Sequence, residues 1–165
     1  MKKTIIKLPE MMLVGITCRT NNDHIFESDI STNKIAATVQ KYFYNELSKK
    51  ILHRKKPGTT YCVYTDYESD FTGDYTFFIG EEANSTDNLP KDFVTITIPA
   101  QHYAKFTNEP GPMPGVCVDM WKKIWKMKSE ELGGKRLYLA DFEIYDERAL
   151  DHNQVVLDVC VGVKI

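Results

Sequence analysis

Apolar and polar positions alternate along this chain in short extended runs set around two helical stretches. Residues 11–20, Met-Met-Leu-Val-Gly-Ile-Thr-Cys-Arg-Thr, are rich in β-branched side chains and predict a strand, closed by the turn sequence Asn21-Asn22-Asp23. Ile35, Val39, Phe43, Leu47 and Ile51 then recur every four residues, with Lys41, Asn45, Lys49 and Lys50 off that stripe. This spacing predicts an amphipathic helix, entered near Asp29 or Ser31 and stopped by Pro57-Gly58. Strands are expected at 59–67 and 75–81.

The second half follows the same order. Residues 93–107 read as extended, and the rigid loop Pro110-Gly111-Pro112-Met113-Pro114 leads into a second amphipathic helix. There Val116, Met120 and Ile124 run beside Cys117, Trp121 and Trp125, each set at spacing four. Gly133-Gly134 ends that region, and strands follow at 138–145 and 155–163. Leu8-Pro9 lies over Ile98-Pro99 at a constant offset of 90, and the string 62–66 lies over 142–146 at an offset of 80. The expected fold is therefore α+β, one domain over 1–165 built from two β-α-β-β repeats, about 1–90 and 91–165. Half a chain of that size buries too little surface alone, so the halves pair and leave a cleft at their junction.

Composition narrows the function. With 42% hydrophobic and 27% charged residues the chain can build a core. The formal charge of −2 removes the basic excess that phosphate-backbone binding relies on. No apolar run nears the roughly 20 residues of a membrane span. No apolar stretch follows the charged start, so a cytoplasmic protein is expected. Cys18, Cys62, Cys117 and Cys160 are separated by 44, 55 and 43 residues and form no C-x-x-C, and the four histidines are equally scattered. Neither a metal nor another cofactor is expected. P-loop, G-x-S-x-G and H-E-x-x-H motifs are absent.

Glu143 stands out. In Asp141-Phe142-Glu143-Ile144-Tyr145-Asp146, alternation puts Phe142 and Ile144 on one face and Glu143 with Tyr145 on the other. On strand pattern alone that second face either meets water or holds a carboxylate among aromatic side chains, where a cation would be its natural partner. Tyr61, Tyr64, Tyr67, Phe77, Phe78, Trp121, Trp125 and Tyr145 could surround it, and Tyr64, Phe77, Trp121, Trp125 and Tyr145 are the ones singled out. Tyr61 and Tyr64 point to opposite faces, so both cannot join. The tryptophans also fit an ordinary helix core.

Ile98-Pro99, the Gly/Pro loop, Trp-x-x-Ile-Trp at 121–125 and Phe-Glu-Ile-Tyr-Asp at 142–146 together resemble the GyrI-like effector-binding domain, the ligand-sensing end of AraC-type and MerR-type transcription regulators. The resemblance implies two β-α-β-β repeats related by a pseudo-twofold axis, with a pocket at their junction and Glu143 as its carboxylate. It further implies binding of amphipathic or cationic drug-like molecules, as stand-alone integron-cassette members do. A branch of the family that hydrolyses strained small molecules through the same Glu supplies the alternative function. A third option is a module that docks on a separate regulator. No helix-turn-helix segment accompanies the resemblance, so direct nucleic-acid binding is not expected. Pairing with a second copy or with a regulator protein stays open.

Overall fold

A computed structural model describes residues 1–27, 29 and 31–165. The strands are β1 (Lys2–Leu8), β2 (Met11–Thr20), β3 (Thr60–Thr65), β4 (Tyr75–Glu82), β5 (Val94–Ile98), β6 (Gln101–Thr107), β7 (Lys135–Tyr145) and β8 (Asp158–Lys164). Helices α1 (Lys34–Tyr44), α2 (Gly115–Lys126) and α3 (Ser129–Leu132) are interleaved with them. All eight strands belong to one antiparallel sheet in the order β1-β6-β8-β7-β3-β4-β2-β5. The fold is α+β. No helix among the described residues is long and apolar enough to cross a membrane.

Two prolines explain how the sheet curls. Leu8 pairs with Gln101 and Met11 with Ile98, so Pro9-Glu10 and Pro99-Ala100 face each other across an unbroken register. β1 runs into β2 and β5 into β6 as two long strands that travel together. Proline has no N–H to donate, so the ladder pauses there and the ribbon bends. One arm of the ribbon joins β8 and the other joins β4, which brings the two ends of the sheet together. The face enclosed in this way holds Leu13, Phe78, Ile98, Tyr103, Phe142 and Cys160, all buried and none from a helix.

The helices cover the other face. Tyr42 of α1 packs with Ile16, Cys62, Phe77 and Ile79. Met120, Trp121 and Ile124 of α2, with Leu132 of α3, pack on Phe106, Val159, Val161 and Val163. β3 and β7 lie side by side at the middle of the sheet, and Tyr64 and Tyr145 border both clusters.

Several expectations need correction. Each half has an extra strand: β1 was not anticipated, and 93–107 is two strands broken at Pro99. The first helix starts at Lys34, capped by Asn33, whose side chain accepts from the Ala36 amide at 3.0 Å. Asp29 instead accepts from Ser31 in a turn ahead of it. The helix ends at Tyr44, so Leu47 and Ile51 reach the core from outside it. Within it Phe43 is 57% exposed and Tyr42 is buried, because a spacing of four drifts about 40° per step around a helix of 3.6 residues per turn.

Gly15 and Gly80 are cross-strand partners on β2 and β4, and a Cβ on either would collide with a carbonyl of the other strand. Gly15→Ala is expected to cost about 2–3 kcal/mol in urea denaturation. Gly115→Ala, with open space around the first residue of α2, should be neutral or gain up to about 1 kcal/mol.

Candidate functional site

Asp141, Glu143 and Tyr145 share the helix-covered face of β7, and Glu143 lies directly across from Cys62 on β3. Glu143 is only 3% exposed. Three neutral donors meet its carboxylate. Tyr64 Oη and Trp121 Nε1 each donate to Oε2 at 2.7 Å, and Tyr145 Oη donates to Oε1 at 2.6 Å. Among the described residues no Lys, Arg or His nitrogen lies within 4 Å of that carboxylate. Charge-assisted bonds hold the buried carboxylate without neutralising it.

Its neighbours feel it. Burial first, and then the negative charge of Glu143, push the Tyr64 and Tyr145 phenols and the Cys117 and Cys62 thiols well above their usual values. These groups therefore stay neutral, and the two phenols keep the protons they donate. Cys117 Sγ sits 3.4 Å from Tyr145 Oη. No group of three or more His, Cys, Asp or Glu among the described residues is clustered to hold a metal ion.

Above this network, between α2 and the loops at 22–26 and 67–75, lies a cavity of about 150 Å³. Tyr64, Tyr67, Tyr75 and Trp121 form its inner wall, and Phe26, Phe71 and Trp125 frame its outer part. The rings contact one another edge to face: the Tyr64 centroid is 5.3 Å from Trp121 and 5.5 Å from both Tyr75 and Phe77. Phe71 stacks on Trp125 at 5.7 Å, and Phe26, more than half exposed, meets Trp125 edge-on at 6.5 Å. Arg136 also borders the cavity. Its Nη2 donates to Asp141 at 2.8 Å, and Tyr67 donates to the same oxygen.

Of the residues singled out from sequence, Tyr64, Trp121 and Trp125 border the cavity. Glu143 and Tyr145 lie behind Tyr64 and Trp121, and Phe77 supports Tyr64 from below without reaching the cavity. Tyr61 and Phe78 face the opposite side of the sheet. Tyr67, one of the wider set of aromatics expected near Glu143, borders the cavity as well, whereas Phe71, Tyr75, Cys117 and Arg136 were not anticipated. Tyr75 could have been found by strand alternation with Phe77. Arg136 carried no local signal, since its role depends on a bulge of β7 between Arg136 and Asp141.

The chain belongs to the Cass2 family of integron-associated effector binding proteins, whose model matches residues 4–163. It is 28% identical over 150 residues to YobU of Bacillus subtilis (strain 168), a protein classed by name with transcriptional regulators, covering 91% of this chain and 90% of that one. An integron cassette protein from the mobile metagenome of Vibrio cholerae superposes with a TM-score of 0.76 at 26% identity, over 98% of this chain and 95% of the other. SAV2435, solved with tetraphenylphosphonium, shares the fold with a TM-score of 0.78 at 16% identity, over 99% and 94%.

The raised thiols and phenols have a pH consequence. A group whose value rises on folding stabilises fully below its unfolded value and loses that contribution as pH climbs past it. Stability is expected to fall above about pH 8.5 through the thiols, and further above about pH 10 through the phenols. Replacing both Tyr64 and Tyr145 by Phe should make the upper limb in denaturation scans shallower without abolishing it, because burial also raises the phenols of Tyr42, Tyr61, Tyr67, Tyr75 and Tyr103. An unchanged upper limb would contradict the assignment.

Proposed function

We propose that this effector-binding chain takes up amphipathic organic cations of drug-like size in the cavity above Glu143, acting as a sensor or a sequestering protein. The observation that carries this is a buried carboxylate that has donors but no cation, set behind a wall of aromatic rings. The negative potential of Glu143 reaches the cavity through Tyr64 and Trp121, whose ring faces themselves attract cations at about 0.5–2 kcal/mol per contact. Apolar ring area supplies the bulk of the affinity, and Glu143 supplies the charge preference.

The cavity is smaller than the roughly 300 Å³ at which sites for small molecules usually begin. A drug-sized ligand therefore enters by parting Phe26, Phe71 and Trp125, which stand on two loops and the last turn of α2 rather than on the sheet. The family description as effector binding supports this reading, and so does the fold shared with SAV2435. Hydrolysis is the weaker alternative, because Glu143 lies behind Tyr64 and Trp121 and does not border the cavity where a substrate would sit.

We also infer that the fold is a duplicated unit with the site at its junction. Shifting β1 and β2 by 90 residues lands on β5 and β6, and the sheet order then reads alike from either end. For β3 and β7 the offset of 80 would lay Tyr64 over Ile144, which faces the other way. An offset of 81 keeps the faces, laying Tyr64 over Tyr145 and Cys62 over Glu143. Glu143 would then lie next to the pseudo-twofold axis.

Trp121 and Trp125 are the only tryptophans, so tetraphenylphosphonium should quench intrinsic fluorescence saturably. Glu143→Gln should weaken that cation by about 2–3 kcal/mol, roughly 30- to 150-fold, and barely affect a neutral aromatic of the same shape. Equal losses for both, or none for either, would remove Glu143 from the site. Duplex DNA should not bind at physiological salt, and a steeply salt-dependent shift would overturn that expectation.

A further inference from the structure

β7 carries two buried carboxylates on one face, and they are balanced differently. Asp141, fully buried, accepts from Arg136 Nη2 at 2.8 Å and from the Gly162 amide at 2.8 Å, with Tyr67 donating as well. Glu143, two residues on, has neutral donors only. The Arg136 guanidinium lies against the same aromatic wall that would receive a ligand: its carbon is 4.3 Å from the Tyr138 ring centroid, 5.9 Å from Trp121 and 6.0 Å from Phe71. Its side chain is 8% exposed and borders the cavity. Trp121 therefore has an anion on its N–H and a cation over its ring. The protein already supplies the cation that answers Asp141, and leaves Glu143 without one.

Building on the cation-binding reading above, we propose that Arg136 tunes the charge preference of the site, so that it favours organic monocations over dications. A second positive charge would have to sit along the wall that Arg136 occupies, or near the mouth, where Lys122 Nζ lies 5.0 Å from the Phe26 ring centroid. At about 7 Å and an effective dielectric constant of about 20, a lone guanidinium disfavours a like charge roughly 50-fold. Asp141 stands on the side of Arg136 away from the cavity, and its opposing charge reduces that to roughly fivefold. The discrimination comes from a like charge placed against the unwanted ligand, which costs the wanted one little.

The test compares a bis-phosphonium with the matching mono-phosphonium in which one phosphorus is replaced by carbon, both titrated by calorimetry. Wild-type protein should bind the mono-phosphonium about fivefold more tightly. Arg136→Gln leaves Asp141 without its cation and should shift the ratio at least tenfold toward the bis-phosphonium. Arg136→Gln combined with Asp141→Asn removes both charges, so it keeps the test usable if the single variant does not fold, and it should bind the two probes within about twofold. Arg136→Lys should retain the wild-type preference. A wild-type protein without preference, or a double variant that keeps it, would overturn the role of Arg136 while leaving cation binding intact. Failure of both probes to bind the wild type would instead overturn the cation-binding reading, and this inference with it.

Discussion

A carboxylate taken out of water must be met by hydrogen-bond donors, and the centre of this molecule is organised around that requirement. Glu143 sits where β3 and β7 meet, so any donor has to come from those strands or from the helix above them. Tyr64 comes from β3, Tyr145 from β7 and Trp121 from α2. Each brings a large ring along with its polar hydrogen. Satisfying the charge therefore builds an aromatic wall at the same place, and the cavity above Glu143 is a consequence of the bonds beneath it.

That arrangement needs a rigid floor. The bent ribbon formed by β1–β2 and β5–β6 draws the ends of the sheet together and encloses one face as an all-strand core. The other face is left for the helices. With β3 and β7 at the middle of the sheet order, their helix-side residues fall between the territory of α1 and that of α2. The floor is packed at high density and resists movement. The rings at the mouth, on loops and a helix end, are the part able to give way.

Electrostatics completes the division of labour. Asp141 and Glu143 share a face of one strand, yet Asp141 is paired with Arg136 and Glu143 is not. A buried anion without a counter-charge stays in a folded protein only when its donors are well placed, as they are here. Such a group keeps an unanswered negative potential, whereas the paired group stiffens the wall beside it.

Local pattern determined a good deal of this protein. The strand 11–20, the amphipathic helix that follows the proline loop, the face shared by Glu143 and Tyr145, and the opposite aim of Tyr61 and Tyr64 all follow from periodicity and turn chemistry, which act between near neighbours in the chain. Pairing was beyond that range. Charged, largely exposed β1 turns only Ile6 and Leu8 toward the enclosed face and is a strand because β6 is there to pair with it. Arg136 reaches Trp121 and Asp141 through a bulge that only the pairing of β7 with β8 creates. The residue types were written along the chain. Which of them share a cavity depended on contacts between segments tens of residues apart, and those belong to the tertiary structure alone.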